Sequence, residues 1–418
     1  MTQVNIIGYI GLSELIMLIF APFVFFRNQS LLKQHGFTLV LTFAILWIIS
    51  AVITDCYRQT AFSDAIKGVA TPYAIFSGIV CSHALLWDNI NRFKWAVGGF
   101  VVSLVLSTYV LPYGANVGYG ERMGLDGLEG ARDYKLFAVT MLTAFLTFPV
   151  KAFYNKIPTF ISIILLSIVA IFSLFEGGRS AFLVATLSVV VVCVAGKKVV
   201  MMKAITRYFW IICCVLLTTT FLVGRVYKYT ARNGLLGEGE QKKYEEHSAA
   251  RVGLLSGRLT LLSSALAIID SPLIGHGSWP KDKNAYNLKA VELGGSDRDI
   301  LILKSAYAEG RIGWISTHAY IGTAWVWNGL AGGVFWIYVF FYVFFRTFKN
   351  FMATVPEAFG YFAILLPSEF WNVWFSPLGQ RVERACLITM CLLAIWVGKN
   401  KYNFPYNRLY SNRNVDAC

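Results

Sequence analysis

Charge is scarce in this chain. Only 14% of its 418 residues are Asp, Glu, Lys or Arg, against 56% hydrophobic and 16% aromatic, a balance that excludes an ordinary soluble globular domain. Histidine is rarer still, with five residues in all. The eight cysteines (Cys56, Cys81, Cys193, Cys213, Cys214, Cys386, Cys391 and Cys418) lie mostly inside or beside apolar runs and form no CxxC pair or Cys/His cluster. Neither a disulfide framework nor a structural zinc follows from them. With no Asp-rich metal motif either, the sequence calls for no metal and no other cofactor. Met1 to Asn5 hold no Lys or Arg, so a cleavable signal peptide is not expected. Carboxylates inside the apolar runs are few, notably Glu14, Glu357 and Glu369. Each is either a functional group or one half of a satisfied core pair, and their scarcity argues against a proton-coupled transporter.

What the chain does have is a succession of membrane-length apolar runs. A bilayer core of roughly 30 Å needs about 20 apolar residues per helix, and lipid leaves helices as the spanning option here. Runs near 5–26, 37–54, 67–87, 95–113, 135–150, 157–176, 180–196, 205–224, 318–345, 351–375 and 384–398 predict an all-α polytopic membrane protein with about 11 (11–12) transmembrane helices. Pro356 and Pro367 could divide the run at 351–375 into two short helices. The domain expectation is N-terminal transmembrane helices over 1–224, a large polar loop over 225–317, C-terminal transmembrane helices over 318–398 and a tail over 399–418.

The net charge of +14 calls for no nucleic acid partner. Alternate loops and the tail hold 16 basic residues, from Arg27 and Lys33 to Arg408 and Arg413, and only two acids, Asp88 and Asp416. The positive-inside rule puts those loops and the C-terminus in the cytoplasm, beside anionic lipid headgroups. The large loop, the Glu176–Arg179 turn and the Arg381–Arg384 turn then fall on the opposite, periplasmic or external, face.

From Arg225 to Arg311 the sequence turns polar, with 13 Lys/Arg, 10 Asp/Glu, His247 and His276. Three constellations belong to that face. Glu176-Gly-Gly-Arg179-Ser sets an Arg fork, suited to phosphate, beside glycines that allow close backbone approach. An Arg at headgroup level is the bland alternative. Arg251-Val-Gly-Leu-Leu-Ser-Gly-Arg258-Leu259 leads into an apolar spacing from Leu255 to Ile269 that predicts an amphipathic helix lying on the bundle. Arg251 and Arg258, seven apart, would share a face about 10 Å from each other along the axis, either as a solvated basic face or as a diphosphate clamp. Glu309-Gly-Arg311 runs on to His318, where the loop enters the next span. That histidine is either a general base or a hydrogen-bonded structural residue. On the span itself, Gly322, Gly329 and Gly333 predict one close-packed helix face. The tract Phe370-Trp371-Asn372-Val373-Trp374-Phe375 reads as an interfacial belt or as a surface on which sugar rings stack.

Taken in order, these motifs resemble the bacterial O-antigen ligases and surface-polysaccharide polymerases. The match comprises Gly178-Arg179-Ser180 after a middle helix, a large external loop with Gly257-Arg258-Leu259, and Ser271-Pro272-Leu-Ile-Gly-His-Gly. A closing motif, His318-Ala319, nine residues, Gly329-Leu-Ala-Gly332, completes it. Ala319 stands where the ligases carry Asn, Ser or Gln, which tilts the reading toward a polymerase. The resemblance covers roughly residues 175–345. It implies a multi-helix fold like that of other lipid-linked-sugar glycosyltransferases (GT-C-like) in the bacterial inner membrane. It also implies metal-independent, inverting transfer from an undecaprenyl-diphosphate-linked oligosaccharide. The acceptor would be a growing glycan for a polymerase, or lipid A–core for a ligase. Arg179 and Arg258 would then stabilise the leaving diphosphate, with Arg251 and Arg311 as weaker candidates, and His318 would position or deprotonate the acceptor hydroxyl. A chain-length regulator is a candidate partner. A lipid-linked glycan flippase or exporter is the competing class, and it would distribute charge through the spans instead of gathering it on one face.

Overall fold

The computed structural model describes residues 3–5, 9–27, 37–86, 163–164, 166–171, 179–195, 225, 229–230, 232–234, 241, 259–348, 359–376, 378 and 381–399. Among them the chain is mostly helical. Three helices are long and apolar enough to cross a membrane: Phe37–Arg58, Phe62–Leu86 and Leu330–Phe348. They mark this as a membrane protein. The runs expected at 95–113, 135–150 and 205–224 lie outside the described residues, as does most of the run at 157–176.

The N-terminus departs from expectation. Strand β1 (Gln3–Asn5) pairs antiparallel with β2 (Tyr9–Gly11), in the register Gln3↔Gly11, and helix α1 (Leu12–Arg27) begins only after them. The run expected from residue 5 is therefore a short hairpin followed by a helix, and the fold is not purely α. Val4, Ile6, Ile7, Tyr9 and Ile10 are β-branched or aromatic, and Gly8 weakens any helix through them.

Helix α2 (Phe37–Arg58) has no Gly or Pro in its 22 residues and stops at Gln59, whose φ of 53° gives a left-handed cap. Thr60 N–H closes that turn on Asp55 O at 3.0 Å. Helix α3 (Phe62–Leu86) follows at once and is the most enclosed of the three, with Ile75, Ile79 and Val80 fully buried. It packs on α1, on α2 and on α11 (Arg381–Lys399). Arg381 donates to Thr71 Oγ1 and Thr389 to Ile79 O, an equal offset that runs α3 and α11 parallel. Helix α4 (Arg179–Ala195) lies against α10 (Phe359–Phe375), which continues through Pro367 as one helix.

Between these come four shorter helices: α5 (Leu259–Asp270), α6 (Tyr286–Gly294), α7 (Asp297–Ala308) and α8 (Tyr320–Asn328). Helix α9 (Leu330–Phe348) includes one wide π turn at Val339–Phe344. The span expected at 318–345 is therefore broken. Gly329 adopts φ 68°, and Gly332 packs so tightly on α8 that a Cβ would fall 2.4 Å from Ala324 O. In a straight helix residues eight apart lie about 12 Å from each other, so the chain folds back sharply at Asn328-Gly329. The expected glycine stripe is divided accordingly. Gly333 seats the Trp325 ring and Gly322 approaches Ser264, whereas Gly329 makes the break.

Candidate functional site

The break at Gly329 is where the loop docks. Residues Leu273–Gly277 run along the carbonyls that the turn leaves open. His276 N–H donates to Val326 O at 2.8 Å, Gly277 N–H to Trp327 O at 3.0 Å, and Leu330 N–H to Leu273 O at 3.1 Å. Broken helices expose such groups, and a buried carbonyl needs a partner. Gly275 (φ 83°) and Gly329 meet backbone to backbone. A Cβ on Gly275 would lie 2.6 Å from Gly329 N, and one on Gly329 would lie 2.1 Å from Leu273 O. Gly275 and Gly329, 54 positions apart in the sequence, thus belong to one structural joint.

The last turns of α2 clamp this joint. Trp47 Nε1 donates to Asn328 Oδ1 at 2.8 Å and Ser50 Oγ to Asn328 O at 2.7 Å. Thr54 Oγ1 donates to Ile274 O at 2.6 Å. Arg58 reaches Gly275 O at 2.9 Å and Ser271 Oγ at 2.7 Å. Asp55, almost fully buried, accepts from Ser278 N–H and Ser278 Oγ, both at 2.7 Å. Sequence reasoning missed Asp55, Arg58 and Asn328. The available signal was weak: a carboxylate and an Arg directly after the apolar run at 37–54, where charge at the membrane interface is ordinary.

His318 is held by a second polar scaffold. Residues 280–282 and 313–315 lie side by side, through Asp282 N–H to Gly313 O and Ile315 N–H to Pro280 O, each 2.9 Å. Asn287 then fixes the stretch leading to the histidine. Its Nδ2 donates to Trp314 O at 2.9 Å, and its Oδ1 accepts from Ser316 N–H at 3.1 Å and Ser263 Oγ at 2.6 Å. Ser264 Oγ reaches Ser316 O at 3.2 Å. Thr323 Oγ1 donates to Thr317 Oγ1 at 3.0 Å. His318 itself is half-buried, with Nδ1 shielded from solvent.

These contacts correct the expected face of the amphipathic helix. Ser263, Ser264 and Ala267 point inward on α5, while Ile269 is 76% exposed. Small residues let α5 approach Gly322 of α8, and the serines satisfy Asn287 and Ser316 where leucine would leave polar groups unpaired.

Asp282 anchors the scaffold. It is fully buried and accepts from Tyr286 N–H (2.7 Å), Asn287 N–H (2.8 Å) and Tyr307 OH (2.5 Å). Burial, then the hydrogen bond to Asp270, pushes the Tyr286 hydroxyl up to about 12. Burial and Asp282 likewise raise Tyr307. His276 packs edge-on to Tyr286 and holds Ala267 O at 2.8 Å, a structural role.

The other expected site residues fall as follows. Arg179 is the first residue of α4, and its side chain lies outside the described residues. Arg251 and Arg258 also lie outside them, Arg258 directly preceding Leu259, the first residue of α5. Arg311 is exposed and pairs with Glu309 at 2.7 Å. The Ser305 hydroxyl and then Arg311 hold the Glu309 carboxyl below its ordinary range. Thus the structure joins His318 to α5 and gives Arg311 a surface partner instead.

Below His318, Tyr320 is buried and the Arg384 guanidinium sits 5.6 Å from its ring centre. Arg384 forms an ion pair with the fully buried Glu369, whose Oε1 also accepts from Asn372 at 3.1 Å. Of the two readings open for Glu369, the structure gives the core pair. In the tract Phe370–Phe375 only Val373 is buried; Phe340 lies 5.4 Å from Phe370 and 5.6 Å from Trp374, centre to centre, and Trp374 stays 37% exposed. Among the described residues no group of three or more His, Cys, Asp or Glu could hold a metal ion.

Comparison with known proteins places the chain in no family: no family model, no curated protein and no solved structure matches it.

Proposed function

We propose that this protein is a membrane glycosyltransferase that uses an undecaprenyl-diphosphate-linked oligosaccharide as donor and polymerises the repeat units of a surface polysaccharide. In this reading the acceptor hydroxyl attacks the anomeric carbon, the C–O bond to the diphosphate breaks, and the hydroxyl proton passes to His318. The departing lipid diphosphate gains charge as that bond breaks. Arg179 and Arg258, with Arg251 as the weaker candidate, stabilise it as donors in a partly dry site, whereas Arg311, exposed and paired with Glu309, is left out of that role. Attack opposite the leaving group inverts the anomeric centre.

The observation that carries the reading is the tie between the His318 segment and α5 through Ser263, Asn287, Ser264 and Ser316. Leu259, the sequence neighbour of Arg258, lies only about 8 Å up the helix axis from Ser264. One rigid unit therefore carries both the proposed base and the residue next to the proposed diphosphate ligand, as near-attack geometry demands. The inner membrane, a periplasmic site and a cytoplasmic C-terminus complete the proposal, on the charge asymmetry of the loops.

Ala319 bears on the acceptor. It is the N-cap of α8, 2% exposed, with no side-chain cap. A polar residue there would cap the helix, so the departure from the ligase pattern concerns α8 more than any acceptor contact. A glycan remains our first acceptor, on the motif comparison and not on any acceptor contact of Ala319. Lipid A–core is the second. The test is substitution in the source cell at matched expression. His318→Ala and Arg258→Ala should each abolish long polymer while the protein still inserts in the membrane. Normal polymer with either variant would remove that residue from the site. A transported but unpolymerised repeat unit in the wild type would favour the flippase.

A further inference from the structure

A cluster of three tryptophans stands beside the His318 segment, and nothing in the reading above uses it. Trp279 lies 5.8 Å from Trp314 and 4.9 Å from Trp327, centre to centre. Trp314 is 47% exposed, and the other two are half-buried. Trp279 takes a left-handed φ of 53°, a conformation that bulky residues avoid unless the surroundings impose it. Its indole N–H has no hydrogen-bond partner among the described residues. Next to Trp314, a Cβ on Gly313 would meet nothing within 4 Å, so the backbone flanking the exposed indole is open. The same Asn287 that fixes Ser316 also fixes the Trp314 carbonyl.

We infer that Trp279, Trp314 and Trp327 form a platform that binds the sugar chain of a glycan and leads it to His318. This deepens the proposed transferase and rests on that reading for the identity of the glycan. Pyranose rings present flat faces of C–H groups that pack on the electron-rich face of an indole, and the exposed Lys281 and Lys283 supply donors for hydroxyls at its edge. Four residues of extended chain, Trp314 to His318, span about 13 Å, the length of a short oligosaccharide. An interfacial lipid belt fits less well. Trp279 and Trp314 stand in the polar stretch with Lys281, Asp282 and Arg311, outside the membrane-length helices.

The test uses the full-length protein in nanodiscs and a lipid-free probe, the oligosaccharide released by mild acid from the source cell's own surface polysaccharide. Binding is read from indole fluorescence and calorimetry, with no transfer needed. Saturable binding is expected, at least tenfold weaker in Trp314→Ala and in Gly313→Leu, whose side chain enters the open space. It should be unchanged in Trp374→Phe. Absence of saturable binding, or binding as tight as wild type in Trp314→Ala and Gly313→Leu, overturns the platform. So does quenching of Trp314 by brominated lipids, which would place it in the headgroups. Transfer that survives in Trp314→Ala with unaltered KM for the acceptor overturns the platform and leaves the transferase. Trp314-dependent binding without any transfer keeps the platform and sinks the transferase.

Discussion

At the scale of single residues, polar side chains set the position of the His318 segment. Asp282 shows the arithmetic. Its carboxylate serves two backbone N–H groups and one phenol in a fully buried place, and an orphaned buried donor costs about 1–3 kcal/mol. Asp282→Ala should therefore lower stability by at least about 2 kcal/mol, read as a drop in unfolding temperature and faster proteolysis between 259 and 318. The tyrosines add a pH dependence of known sign. The Tyr286 hydroxyl, raised to about 12, holds its proton more tightly folded than unfolded, where it titrates near 10. Its stabilisation is thus complete below about pH 10 and lost as pH rises toward 12. Unfolding scans across that window should show the loss, and Tyr286→Phe should lessen it, Tyr307 being raised in the same direction. At Ala319, an unused N-cap, Ser should raise stability by about 1 kcal/mol. Unchanged or lower stability there would contradict the capping account.

Elements explain what could and could not be read in the sequence. Helices α2 and α11 were legible because long apolar runs leave few alternatives in lipid. The break after Asn328 was not, since Gly329 fits a packed helix face as well as a turn; only its contact with Leu273 distinguishes them. The same ambiguity hid the inward face of α5. Its leucines gave the stronger periodic signal, while the partners that favour Ser263 and Ser264 come from Asn287 and Ser316, distant in sequence. Arg258 and His318 were legible as candidates from motif order, but the scaffold behind His318 carries no local pattern. The joint gives a sharp prediction. Gly329→Ala sets a Cβ against the Leu273 carbonyl at φ 68° and should prevent stable folding. Gly310→Ala, also at positive φ but in open space, should cost only about 1 kcal/mol. Equal effects in thermal unfolding would contradict the account. For Glu369 and Arg384, removing either partner alone should cost about 3–5 kcal/mol. Glu369→Leu with Arg384→Met should cost less than either single change, because no buried charge is left alone.

For the molecule as a whole, the polar stretch from Leu259 to His318 and the membrane-length helices form one unit. The turn after α2, the start of α11 and the docked Ser271–Ser278 segment meet at one end of the bundle: Gly68 of α3 touches Ser278, and Arg381 reaches Thr71. A lipid-linked donor needs such a place, with its diphosphate at the headgroups and its tail alongside the helices. The charge pattern is consistent with this, because purely basic loops fall at alternate connections while the polar stretch mixes 13 Lys/Arg with 10 Asp/Glu. The most direct measurement supplies purified protein in detergent with an undecaprenyl-diphosphate-linked repeat unit from the source cell and resolves the products by length. The account predicts a ladder that persists after chelator treatment and disappears in His318→Ala. No ladder, and no transfer when lipid A–core is added to the same reaction, would contradict it.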